Sequence, residues 1–66
     1  MIRIITNAGT VDFAKDMDEA RSKLKMYKNL VDEGYSKFVR AVREDREGRT
    51  IEEIAYYTKD GETRND

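Results

Sequence analysis

Only 13 of the 66 residues are Leu, Ile, Val or Phe, and no cysteine is present to crosslink the chain. That shortage limits the fold more than any motif does. A domain this size draws no more than ~3–5 kcal/mol from a single apolar core, and the usual reinforcements are disulfides or a structural metal. With neither cysteine nor histidine, thiolate and imidazole metal sites are excluded, and no metal or cofactor is expected. Well-formed local structure, self-association or a bound partner must supply the rest. The net charge of −1 and the patterning of the apolar residues point to a folded chain rather than a disordered one.

The clearest local signal predicts a helix over residues 16–33. Asp16 can cap its first turn, with Glu19 three residues on as the reciprocal partner, and Gly34 ends it. At helical spacing Met17, Ala20, Leu24, Tyr27 and Val31 fall within an arc of ~80°, the narrow stripe of a helix lying on one side of a sheet.

Strand signals flank the helix. Ile2 to Thr6 and Val11 to Phe13 alternate apolar and polar residues around Asn7-Ala8-Gly9-Thr10, which reads as a hairpin. A register setting Ile4 opposite Phe13 gathers Ile2, Ile4, Val11 and Phe13 on one face, whereas a one-residue slip sets Arg3 against Phe13. After Gly34, the runs Tyr35 to Glu44 and Ile51 to Thr58 are rich in aromatic and β-branched residues around Asp45-Arg46-Glu47-Gly48. A four-residue loop there sets Val42 opposite Ile51, Arg40 opposite Glu53 and Val39 opposite Ile54. Residues 50–59 have a rival reading, because Thr50-Ile51-Glu52-Glu53 is also a capping box. A short helix there would resemble the start of a helix-turn-helix, with too little chain left for a recognition helix.

The expected fold class is therefore α+β: a small ββαββ domain with a four-stranded antiparallel sheet and one helix packed on one face. Residues 1–61 form the single domain and 62–66 a flexible polar tail. No run approaches the ~18 apolar residues of a membrane span, and the N-terminus lacks the basic and apolar regions of a signal peptide, so a cytoplasmic location is expected.

Catalysis finds little support. Acid–base and nucleophilic chemistry draws on His, Cys, an activated Ser or paired carboxylates in a cleft. The first two are missing, and Ser22 and Ser36 have no base beside them. Adjacent carboxylates such as Glu52 and Glu53 point to opposite faces of a strand. Asn7-Ala8-Gly9-Thr10 lacks the Lys-Ser/Thr ending of a phosphate loop, and Asp60-Gly61-Glu62 reads as a turn rather than a calcium loop. The chain reads as a non-enzyme that acts by binding.

Two surfaces are candidates. Lys37, Arg40, Arg43, Arg46 and Arg49 recur at every third position, and Arg21, Lys25 and Lys28 share an arc of the helix, so residues 21–49 carry nine basic against five acidic side chains. Arg21, Lys25, Lys28, Arg40, Arg43, Arg46 and Arg49 are candidate contacts to phosphate or to an acidic partner. Glu44, Asp45, Glu47, Glu52 and Glu53 are near enough to neutralise much of that field. Exposed tyrosines beside the arginines would add stacking platforms for single-stranded bases. The second surface is apolar. A helix covering Phe38, Val42, Ile51, Ala55 and Tyr57 leaves Val39, Ala41, Ile54 and Tyr56 uncovered on the opposite face, and Met26 and Leu30 lie off the buried helix stripe. These six residues are the expected partner or oligomer interface, with a homodimer predicted.

A short, cysteine-free, charge-rich chain beginning at Met1 resembles in style the small proteins of phages and other mobile elements, many of which block a host machine such as a nuclease. The resemblance rests on size and composition and covers no motif. It implies an anti-defence protein, in the manner of the anti-CRISPR inhibitors. The expected function is a small non-enzymatic binder that inhibits or regulates a larger protein. The alternative is a nucleic-acid-binding module using the arginine-rich hairpin.

Overall fold

The computed structural model describes residues 1–64. The chain forms β1 (Ile2–Thr6), β2 (Gly9–Ala14), α1 (Met17–Asp32), β3 (Val39–Glu44), β4 (Thr50–Thr58) and β5 (Gly61–Arg64). It is a small α+β fold with one helix and a five-stranded sheet in the order β2-β1-β3-β4-β5, every neighbouring pair antiparallel. The four-stranded expectation falls one strand short. Residues 61–64 pair with β4, three of them within the expected tail 62–66, and residues 65–66 lie outside the described residues.

The helix follows from local chemistry. Asp16, with extended backbone, accepts the Glu19 amide at 2.8 Å as N-cap, and Asp18 and Glu19 place negative charge in the first turn. At the other end Gly34 takes φ +88, and the Tyr35 amide donates back to the Leu30 carbonyl at 2.9 Å. Ala20, Leu24 and Val31 are buried, with Met17 and Tyr27 packed beside them, so the expected stripe meets the sheet.

The sheet residues that meet it are Ile2, Ile4, Ala14, Val39, Ala41, Ile54 and Ala55, with Tyr57 at the margin. Alanines at 14, 20, 41 and 55 let the helix approach closely, so few large side chains suffice to fill the space. Val39, Ala41 and Ile54 are thus core, which corrects their placement on the uncovered face. The reason is parity combined with bulges. Both alternating sets along β3 include apolar residues; the helix takes Val39 and Ala41, leaving Val42, and Phe38 just before the strand, to the other side.

In β4 the pairing slips twice. Ala41 faces Ala55 while Val42 faces Glu53, so Ile54 is an extra residue and turns inward with Ala55. Arg43 faces Glu52 while Glu44 faces Thr50, so Ile51 is a second bulge and is 61% exposed instead of opposing Val42. The short-helix reading of 50–59 does not hold, because that stretch pairs on both sides, with β3 and with β5.

The first hairpin adopts the slipped register. Arg3 faces Phe13 and Ile4 faces Asp12, with Val11 bulged out. The compensating contacts are visible. Arg3 lies over the Phe13 ring at 5.7 Å, and Asp12 accepts from Lys23 Nζ at 2.9 Å and from the Tyr27 hydroxyl at 3.2 Å on the helix. The expected register would have set Phe13, not Asp12, opposite Ile4. No helix among the described residues is long and apolar enough to cross a membrane.

Candidate functional site

The sheet face turned away from the helix carries the most distinctive side-chain arrangement. Strand register sets two rows across it. Thr10, Ile5, Arg40 and Tyr56 form one; Phe13, Arg3, Val42 and Glu53 form the other. Phe38 stacks on Tyr56 with ring centroids 5.7 Å apart and planes 18° from parallel. Phe13 is 44% exposed at the opposite end of the face, and Ile5 is half-buried between.

Ion pairs close the centre of this face. Arg3 grips Glu44 with Nε to Oε1 and Nη2 to Oε2, both at 2.9 Å, and Arg40 Nη2 lies 2.7 Å from Glu53 Oε2. Val42 is neighboured by all four of these residues and is 0% exposed, although it is outside the core under the helix. The aliphatic stems of paired charges therefore do on this side what a second helix would do. Arg40 Nε is enclosed without a hydrogen-bond partner among the described residues. A shallow depression bounded by Met1, Arg3, Phe13, Glu44 and Asp45 continues the face toward the β3–β4 loop.

The arginines spaced by three do not form a positive stripe. Arg40 pairs with Glu53, Arg43 Nε with Glu52 at 3.0 Å, and Arg49 with Asp45 at 3.0 Å and with Glu47. Arg46 is exposed and takes part in no ion pair among the described residues. Asp45 organises this loop, accepting the Glu47 and Arg49 amides. Those contacts, the Arg49 amide first, hold its carboxyl below the usual value of 3.8.

On the helix, Arg21 approaches Asp18 at 3.4 Å, Lys28 pairs with Glu62 of β5, and Lys25 is exposed and outside any ion pair among the described residues. Met26 is 51% exposed and Leu30 half-buried on the helix, on the opposite side of the sheet from Tyr56. The six residues expected to form one or two apolar patches are therefore scattered. Three are core, Tyr56 is on the open face, and two are on the helix.

Ile5 is a residue of the open face that the sequence does not single out, and Phe13 and Phe38, expected with the apolar sets under cover, stand on it instead. A signal existed in the slipped register of the first hairpin, which pairs Arg3 with Phe13 and frees Phe13 from the core. No group of three or more acidic side chains is gathered to hold a metal ion among the described residues. Ser22 is exposed on the helix and Ser36 half-buried after it. Comparison with known proteins yields no match to a family model, a curated protein or a solved structure.

Proposed function

We propose that this chain is a non-catalytic binding protein that docks its open sheet face on a larger protein and thereby inhibits or regulates it. The observation that carries the reading is the composition of that face. Phe38, Tyr56 and Phe13 stand around two arginines whose charges are already matched by Glu44 and Glu53. Aromatic side chains and arginine dominate the energetics of protein interfaces, and the fully buried centre of an interface is depleted in unpaired charge. A locally neutral surface suits an apolar patch on a protein better than a polyanion.

Size supports the same conclusion. A standard interface takes ~800 Å² from each partner, roughly a fifth of the 4503 Å² this chain exposes. A protein that commits so much of itself to one contact works by occupying its partner's surface. The anti-defence role implied by the resemblance to small phage proteins is one form of this reading, with the partner a host nuclease. A second copy of the chain is the other protein occupant of the same face.

A nucleic-acid reading has one specific support, the Phe38–Tyr56 stack beside Arg40. Pairwise neutralisation of Arg40, Arg43 and Arg49 counts against it.

The test is affinity capture from nuclease-treated host lysate, with wild type beside Tyr56→Asp and Phe13→Asp, after circular dichroism shows equal folding. A stoichiometric protein retained by wild type and lost with both variants supports the reading. Retention by all three removes it. In a parallel capture from untreated lysate, recovery of nucleic acid that competes away with salt shifts the assignment to the second reading, and a concentration-dependent doubling of mass in light scattering assigns the face to self-association.

A further inference from the structure

The sheet is open, with β2 at one edge and β5 at the other. β5 is four residues long and carries Glu62 and Arg64, a short charged strand of the kind that discourages a further partner. β2 is longer and, apart from Asp12, uncharged, with Thr10, Val11 and Phe13 favouring extended pairing. Strand parity shows which of its backbone groups point outward. The Glu44 amide donates to the Met1 carbonyl at 3.0 Å, so Met1 and, two residues on, Arg3 direct their backbone groups at β3. Phe13, the partner of Arg3 in β2, therefore turns its N–H and C=O away from β1, toward the edge.

Both of those groups are already taken. The Phe13 amide donates to Asp12 Oδ1 at 2.8 Å, and the Phe13 carbonyl accepts from Lys23 Nζ at 2.6 Å. Lys23 reaches over from the helix and closes the arrangement on Asp12 Oδ1 at 2.9 Å. Two more helix residues brace it: Glu19 Oε1 lies 3.4 Å from Lys23 Nζ, and the Tyr27 hydroxyl donates to Asp12 Oδ2 at 3.2 Å. Just before this point the bulge at Val11 interrupts the strand.

We infer that Asp12 and Lys23 guard this edge: they occupy the outward backbone groups of Phe13 and so keep β2 from pairing with the β2 of a second copy. A second copy is the occupant that fits, because antiparallel pairing of a strand with itself about a two-fold axis is self-complementary and would join the two sheets into one. Charge argues the same way. With the guard in place such a seam gathers two Asp12 carboxylates, whereas without it the strand has no charge to oppose the pairing, and Thr10, Val11 and Phe13 are exposed. The guard acts on backbone groups at the edge, so it stands apart from docking on the open face.

The experiment compares wild type with Asp12→Val/Lys23→Met, which removes both charges together so that neither is left without the other. Sedimentation velocity and amide exchange are measured over a range of concentrations at neutral pH, after circular dichroism shows the fold. The double variant is expected to self-associate at least about tenfold more tightly than wild type, with exchange at the Phe13 amide slowing as concentration rises. Association no tighter than wild type, or protection that grows at Phe38 and Tyr56 instead of Phe13, would overturn the inference. Lys23→Met, which frees the carbonyl alone, serves the same comparison if the double variant does not fold. In wild type the Phe13 amide should exchange about tenfold more slowly than that of Thr10, which by its pairing with Ile5 also faces outward. Equal rates at the two amides would show that the edge is not capped and would sink the inference as well.

Discussion

Arg3 reaches along the open face of the sheet to hold Glu44 at two points, although the residue paired with Arg3 across the strands is Val42. The guanidinium spans the valine and shields it, while its other side lies on Phe13. One side chain thus joins the first hairpin, the third strand and the closure of an apolar site that the helix never touches.

Removing half of that pair should cost more than removing all of it. Glu44 is buried, so Arg3→Ala leaves a desolvated carboxylate without its cation and should destabilise by about 1–3 kcal/mol. The double variant Arg3→Met/Glu44→Leu should recover at least half of that loss in urea unfolding. A double variant no more stable than Arg3→Ala would show the ion pair to be irreplaceable cover.

Ile4 is fully buried at the centre of the core, between Asp12 on one side and Ala41 on the other. Ile4→Val should lower stability by about 0.5–1.5 kcal/mol, and Ile4→Ala by about 2–5 kcal/mol. Since a domain of this size holds only ~3–5 kcal/mol in total, the alanine variant should lose its cooperative thermal transition while the valine variant keeps it. Calorimetry on the pair distinguishes these outcomes.

Acid should weaken the fold through Asp12. The Lys23 ammonium, then the Phe13 amide, favour its ionised form and hold its pKa below the ordinary 3.8. A carboxyl depressed in the folded state adds stability that is complete above its unfolded value and is lost as pH falls through the folded one. The urea midpoint should therefore drop below about pH 4. Asp12→Asn should lower the midpoint at neutral pH but differ little from wild type at pH 2. A gap of equal size at both pH values would mean that the aspartate contributes nothing through its charge.

β5 is held by backbone pairing to β4 and by the Lys28–Glu62 pair, and the helix does not pack on it. Ending the chain at Asp60 should leave a folded protein whose Tyr56 and Tyr57 regions exchange amide protons faster, with protection of β1 and β3 retained. Global loss of protection would show that the last strand is required for folding.

The helix, its two ends and its buried stripe were legible in the residues because helical information is local. Asp16 and Glu19 meet within one turn, and Met17 to Val31 recur on one face whatever lies beneath them. The turns at Gly9 and Gly48, both at positive φ, were legible for the same reason. Other features were decided only by assembly. Which side of β3 faces inward depended on the helix choosing between two sets that each include valine, and the bulges at Val11, Ile51 and Ile54 shifted every pairing beyond them. β5, with the polar sequence Gly61-Glu62-Thr63-Arg64, carries no hydrophobic alternation, yet it forms along the outer edge of β4, whose backbone groups accept any extended partner. Neutralisation of the arginines by Glu52 and Glu53 was legible in the sequence, but the geometry was not: Arg43 faces Glu52 directly, whereas Arg40 faces Tyr56 and reaches Glu53 diagonally past the bulge at Ile54.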